Sequence, residues 1–377
     1  MIDNKDLGIE QFLEGKSDKK YVVAIECDYY SNLASVIVHD PEKGKFIEKM
    51  KYSPFLFMKE LPQEIKATFY KNDQSYKMKA MTENGITIKK VRTTDKNNIN
   101  LERLSSGYKY LVSTNKSFGD IVKFFRNGGL DIYKHGGLFV RQTPQEQFMI
   151  QTGVRLFKGY EFYNDIHKAV FDIETTGLDG NKERCFLIGL SDNKGYEKIF
   201  EVTKPDDDES ELKVILDFFH ELNEMKPAIL SGYNSENFDF DFLLKRLAKL
   251  GYDFNNIKLG LDGTSSIKRK EGATIKYGSE TESYTQTIVW GYNIIDIYHS
   301  VRRAKAINSE IKEAGLKYIT KYSDAAKPDR MYIDNGFNIY KFWRDNNLFI
   351  INKENNEYVQ IPDILQDEVS SKLNNIL

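Results

Sequence analysis

Residues 171–178 read FDIETTGL, and Asp172 and Glu174 stand two positions apart at the end of a short apolar run. On an extended strand, residues i and i+2 project to the same face. The two carboxylates therefore repel unless something positive lies between them, and a divalent cation meets that need. A third acid, Asp239, lies in AILSGYNSENFDFDFLLKR (228–246), where an apolar strand passes through a Gly/Asn turn into a helix with Phe242, Leu243 and Leu247 at helical spacing. A carboxylate at a helix start is also favoured by the macrodipole, so Asp239 has a plain capping role as an alternative. A strand-end acid pair plus an acid at a helix start in an α/β frame suits phosphoryl transfer by two ions about 3.5–4 Å apart. Hard Mg²⁺ or Mn²⁺ ions prefer such carboxylate oxygens.

The elements that must position these acids follow from periodicity. From 169 onward the order is strand (169–173), strand (186–190), strand (196–202), helix (208–225), strand (228–231), helix (240–250), strand (286–295), then helices; this predicts an α/β layer fold. The acidic run PDDDES at 205–210 reads as the N-terminus of the 208–225 helix, not as a metal site. Residues 258–284, with little apolar content, read as a surface loop or hairpin. Earlier in the chain, 21–27, 34–38 and 53–58 form a β-rich meander, and strand-like pieces follow between 85 and 114. Residues 117–129 read as a helix capped by Ser117 and closed by Gly128–Gly129. The polar stretch 142–168 marks a boundary, giving domains at 1–160 and 161–377.

Composition limits the alternatives. At 377 residues the chain can hold two domains, and a formal net charge of −2 means that any groove for a polyanion must be local. Two cysteines, Cys27 and Cys185, supply neither a disulfide framework nor a zinc motif. No basic leader and no apolar window of about 18 residues is present, so the expectation is a soluble, cytoplasmic protein without a membrane partner. Basic clusters at Lys268–Lys270 and Arg302–Lys305 read as solvated faces that at most touch phosphates. His167 and His299 read as structural.

Beyond these spacings, FDIETTGL resembles the first exonuclease motif of the DEDD nucleases. GYNSENFDFDFLLKR resembles the second motif as family B DNA polymerases carry it, with Phe238 before the acid. YSPFLFM and PQEQFMIQTGVRLFKGYEFYNDIHK are similar to segments of the same polymerases, the tailed-phage branch in particular. The resemblance implies a ribonuclease H-like DEDD exonuclease domain with a mixed central sheet, preceded by a β-rich α+β domain. It also implies a proofreading, DNA-replication function: hydrolysis of 3′-terminal nucleotides from single-stranded DNA beside a polymerase (nucleotidyltransferase) site. In this reading Asp172 bridges two Mg²⁺ or Mn²⁺ ions, and Glu174 holds one of them and orients the water. Asp239 acts through a water or the outer shell of the second ion, while Thr175, Thr176, Gly177, Asn234 and Phe238 shape the nucleotide pocket. The implied partners are primer-template DNA, a polymerase core on this or a second polypeptide, and a sliding clamp reached through the remainder. A viral source would place it in the host cytoplasm.

The family's third motif, Tyr-x-x-x-Asp on a helix, has one match, Tyr292–Asp296. It lies in the β-rich run 285–296, whereas Tyr and Asp at i, i+4 share a face only on a helix, so it reads as a strand end. Tyr358 and Asp363 are five apart and separated by Pro362. The tail reads as a charged, exposed face that packs on a missing part. The expectation is thus a chain cut before the third motif, or a split gene. The alternatives are a free-standing DEDD exonuclease using Asp296, and a non-catalytic module holding DNA or a subunit.

Overall fold

The computed structural model describes residues 10–13, 15–63, 65, 80–90, 110–135, 137, 139–326, 340, 343–344, 349–351 and 358–360. It divides into two compact units, Met1–Asp165 and Ile166–Leu377.

The first unit begins with a one-turn helix, α1 (Glu10–Leu13), and an antiparallel meander of β1 (Val22–Cys27), β2 (Leu33–Asp40) and β3 (Gly44–Lys51). A second sheet takes the order β4 (Phe55–Met58), β7 (Tyr110–Thr114), β6 (Ile86–Lys90), β5 (Ala80–Glu83). Helix α2 (Phe118–Asn127) starts at the expected Ser117, whose hydroxyl accepts the Asp120 amide while Asp120 reaches back in a capping box. Its buried Phe118, Ile121, Val122 and Phe125 pack on the second sheet. The boundary segment holds an element that the periodicity did not reveal, α3 (Pro144–Thr152). Its apolar Phe148, Met149 and Ile150 are consecutive, so no helical face stands out. The start signals were nevertheless present: Thr143 and Glu146 form a capping box and Pro144 sits in the first turn. Gln147 of α3 is buried and satisfied, accepting the Phe55 amide at 3.0 Å and donating to the Phe139 carbonyl.

In the second unit a five-stranded sheet takes the order β10 (Glu197–Glu201), β9 (Cys185–Asp192), β8 (Lys168–Thr175), β11 (Ile229–Gly232), β14 (Asn293–Asp296). The first three strands pair antiparallel and β8, β11 and β14 run parallel, so the sheet is mixed. Helix α4 (Asp208–Met225) spans the expected residues, with Asp207 accepting the Ser210 amide at 2.7 Å. Its first turn carries Asp208, Glu209 and Glu211, where the macrodipole favours acids. Helix α5 (Asp239–Lys249) follows β11, with Phe240, Leu243 and Leu247 fully buried. Phe171 of β8 meets Phe218 of α4 and Phe240 of α5, ring centres 5.2 and 5.0 Å apart, which fastens both helices to the strand carrying the acid pair. Each such buried ring contributes about 2–3 kcal/mol by transfer from water.

The predicted hairpin is present as β12 (Lys268–Tyr277) and β13 (Glu280–Ile288). The single strand expected at 286–295 is instead two strands in different sheets, because the chain turns at Gly291 in the left-handed region (φ +84°). Helices α6 (Ile297–Ile307) and α7 (Leu316–Tyr322) follow, and a small pair, β15 (Phe349–Ile351) with β16 (Tyr358–Gln360), lies near the C-terminus. The tail is not wholly an exposed face. Tyr340 is buried and, with Trp343, packs on Phe186 at 5.3 and 5.1 Å. Asp363 lies outside the described residues. Among the described residues no helix is long and apolar enough to cross a membrane.

Candidate active site

The parallel strands β11 and β14 end side by side, Gly232 pairing with Asp296, while β8 runs on beyond them from Val170, opposite Ser231, to Thr175, and ligands of open α/β sheets gather at such carboxyl ends. Alternation along β8 sends Ala169, Phe171 and Ile173 into the core and leaves Val170, Asp172 and Glu174 on the other face. The chain leaves β11 through Gly232. A Cβ there would lie 2.6 Å from that of Ser235 and 3.3 Å from the Phe171 carbonyl, so the turn closes against β8 only with glycine. Asn234 then takes a left-handed conformation (φ +63°) that turns the chain into α5.

The three predicted acids are coupled through their charges. Asp172 is reached by solvent yet flanked by enough protein that desolvation raises its pKa. Glu174 is pushed up to about 7 by burial and then by the Asp172 charge, with Lys317 of α7 pulling it back. Asp239, 2% exposed, is pushed up to about 7 by burial, then by Asp172, with a smaller push from Asp296. The Ile173 amide works against the upward shift of both Asp172 and Asp239. Oδ1 of Asp239 is buried without a hydrogen-bond partner. Phe238, not Asp239, takes the N-cap position of α5 and makes no side-chain cap, so the capping role does not account for the acid. A buried carboxylate oxygen with no donor is costly, and an all-oxygen acid set fits a hard divalent ion that would take it up.

The predicted pocket residues are held in different ways. Thr175 donates to the Gly177 carbonyl at 2.7 Å, and Thr176 donates to Glu183 at 2.7 Å while accepting the Arg184 amide. A Cβ on Gly177 would meet the Glu183 side chain at 2.7 Å, so this strand-end loop is closed upon itself. Phe238 is half-buried, its ring 5.7 Å from Phe242. Asn234 lines an open groove of about 900 Å³ with Tyr233, Tyr277, Tyr298 and Arg302.

Tyr292 and Asp296 do not form a helical pair. Tyr292 is buried in the core with its hydroxyl toward the Leu222 carbonyl, whereas Asp296 ends β14. The Asp296 carboxylate accepts the Asn234, Glu236 and Tyr298 amides at 2.8, 3.1 and 3.0 Å and thereby holds the turn before α5. His167 pairs with Asp192 at 2.8 Å, in keeping with a structural role. His299 is not isolated, for it lies beside Glu236 and Asp296. Among the basic clusters, Arg269 is partly buried and donates to Thr287 and to the Glu236 carbonyl, and Arg302 pairs with Glu282 beneath the rings of Tyr277 and Tyr298. Spacing gave no sign of Lys317 or Glu236 as neighbours of the site, because both reach it only through folding.

Raised carboxylate pKa values make the metal-free chain less stable as pH rises. Below the unfolded carboxylate range, near pH 4, both states are protonated. Between about 4 and 7 the folded chain holds protons on Glu174 and Asp239 that the unfolded chain releases, so stability falls with rising pH and the loss is complete above about 7. Melting curves in chelator should therefore fall between pH 5 and 8, with a shallower fall for Asp239→Asn. Added Mn²⁺ should stabilise more at pH 8 than at pH 5.5. Equal slopes for the two chains would show that Asp239 does not titrate in this window.

The family described as RNase_H superfamily matches residues 169–347. A DNA polymerase of Thermococcus kodakarensis is 30% identical over 150 residues, which are 38% of this chain and 8% of that protein. A DNA polymerase of Pyrococcus glycovorans is 25% identical over 181 residues, 46% of this chain and 21% of that protein. The chain therefore spans well under half the length of the curated relatives it matches. The solved structure of the family B DNA polymerase from the archaeon Pyrobaculum calidifontis aligns with a TM-score of 0.56 at 16% identity, covering 86% of this chain and 42% of that one. The fold is thus ribonuclease H-like with a mixed sheet. None of these three relatives speaks for the tailed-phage branch.

Proposed function

We propose that this chain, whose second unit carries the ribonuclease H-like fold, is the N-terminal and 3′-to-5′ exonuclease portion of a family B DNA polymerase. The observation that carries the reading is the buried, unpartnered Oδ1 of Asp239, an acid on which the Asp172 charge acts. Similarity to DNA polymerases supports the substrate class. Two Mg²⁺ or Mn²⁺ ions held there would supply charge neutralisation for an attacking water and for the leaving 3′ oxygen of a terminal phosphodiester. Asp172 and Glu174 would hold them from β8, with Glu174 orienting the water, and Asp239 would add its carboxylate from α5.

Thr175, Thr176 and Gly177 form the rigid loop against which the last nucleotide lies. Asn234 and the tyrosine-lined groove take the strand behind it, where base stacking is worth about 1–3 kcal/mol per ring, and the free face of Phe238 offers a further platform. The polymerase core, primer-template DNA, a sliding clamp, a viral (tailed-phage) origin and a cytoplasmic site of action belong to the same proposal. So does the domain division at 160/161.

Tyr292 and Asp296 are not the helical pair of the third motif, so we assign the fourth carboxylate to polypeptide outside this sequence. Purified alone, the chain is expected to degrade a labelled single-stranded oligonucleotide only feebly in Mg²⁺ or Mn²⁺, and full activity is expected when the polymerase remainder is joined. Robust metal-dependent degradation by the isolated chain would instead favour the free-standing nuclease with Asp296 as its last acid.

A further inference from the structure

Glu236, Asp296 and His299 are all buried, at 5, 4 and 8% exposure, and come together where the turn before α5, the end of β14 and the first turn of α6 meet. One oxygen from each acid and one ring nitrogen lie within 4.8 Å of one another. Nε2 of His299 has no hydrogen-bond partner and lies 3.4 Å from Glu236 Oε2, too long for a charge-assisted hydrogen bond. That separation is about the 3.4 Å edge of a tetrahedral ion with ligands at roughly 2.1 Å.

The surroundings match those of a metal-binding trio. Ligating histidines donate their other ring nitrogen to a fixed partner, and Nδ1 of His299 meets the Tyr277 hydroxyl at 2.6 Å. The Tyr284 ring packs edge-on at 4.8 Å and fixes the imidazole plane. Ligating carboxylates are themselves hydrogen-bonded: Oε1 of Glu236 accepts the Thr287 amide at 2.8 Å, leaving Oε2 turned to the imidazole. Arg269, the nearby cation, is spent on Thr287 and on the Glu236 carbonyl, not on the Glu236 carboxylate.

We infer that Glu236, Asp296 and His299 bind one divalent transition ion of the zinc class, separate from the Asp172, Glu174 and Asp239 set. Two carboxylates and an imidazole suit such an ion, and three protein ligands leave a position for water. The ion would tie the 233–238 turn to the end of β14 and to α6, and so act as a positioning site for Asp239. The inference does not rest on the nuclease reading.

The test uses the purified chain carrying Asp172→Ala and Glu174→Ala, which strips the β8 carboxylates. Equilibrium dialysis against zinc is expected to leave about one ion per chain, and cobalt in its place is expected to show visible absorption bands of a low-coordinate site. Adding His299→Gln should weaken zinc binding about a hundredfold and abolish those bands. Glu236→Gln serves as the second arm should the first variant not fold, as checked by circular dichroism. No retained zinc, or retention unchanged by both variants, would mean that the trio is only an internal ion pair, and the inference would fall.

Discussion

Asp172→Ala, in a polymerase containing this chain, is expected to lower 3′-to-5′ hydrolysis of single-stranded DNA about a thousandfold or more while nucleotide incorporation stays unchanged. The magnitude follows from what is removed. Stabilising developing charge at a metal-held phosphodiester is worth several kcal/mol, and about 4 kcal/mol is a factor of a thousand in rate. Asp172 is the central member of the set, since its charge raises the pKa of both Glu174 and Asp239. Its loss should also relax those two acids toward ordinary carboxylate values. Release of mononucleotides from a 5′-labelled oligonucleotide, read beside primer extension by the same preparation, tests both halves. Hydrolysis surviving within tenfold of the parent would remove Asp172 from the site. A parallel loss of primer extension would point to damage to the fold instead.

The second large effect concerns stability. Glu211 of α4 is 1% exposed, and its carboxylate accepts Nε and Nη2 of Arg246 at 2.7 and 2.8 Å, Nη1 of Arg184 at 2.9 Å, and the Cys185 amide at 2.8 Å. It joins α4, the start of β9 and α5, the helix that begins with Asp239. Removing Glu211 leaves the buried Arg246 guanidinium with only the exposed Asp208 carboxylate, 3.6 Å from Nη2, in place of its bidentate partner, which costs about 3 kcal/mol, the lower end for a broken buried pair. Glu211→Ala should therefore lower the melting temperature of the chain by roughly 10 °C. Replacing the pair together, as Glu211→Leu with Arg246→Met, should recover much of that loss because apolar packing can replace a buried ion pair. Melting by circular dichroism decides the matter. A single variant within about 1 kcal/mol of the parent would mean that water reaches Arg246 readily.

The two effects are separable in one experiment series. Asp172 is open to solvent and its charge repels Glu174 and Asp239, so its alanine variant should melt at or somewhat above the parent in chelator at neutral pH. Glu211→Ala should melt early yet retain its acid set while folded.

Much of the local structure of both units was legible in the sequence because its signals are local. The acidic start of α4, the Ser117 capping box and the alternation of FDIETT each depend on residues within one turn or one strand, so spacing alone predicts them. The strand reading of Tyr292–Asp296 was legible for the same reason, given a β-rich run with no helix start. Helix α3 was missed because its apolar residues are consecutive, although its Thr143–Glu146 capping box was there to be read.

The remaining features depend on residues far apart in the chain. The sequence by itself determined which acids are available and on which faces of their strand and helix they stand. Only the tertiary structure decided that β11 and β14 end together beside the middle of β8, which couples Asp239 to the Asp172 charge and leaves Oδ1 of Asp239 buried without a donor. It also decided that Asp296 is engaged by three amides and that His299 meets Glu236 sixty-three positions away. The physical reason is that local spacing fixes side-chain direction, whereas burial and charge coupling arise only when strand order sets distant segments against one another.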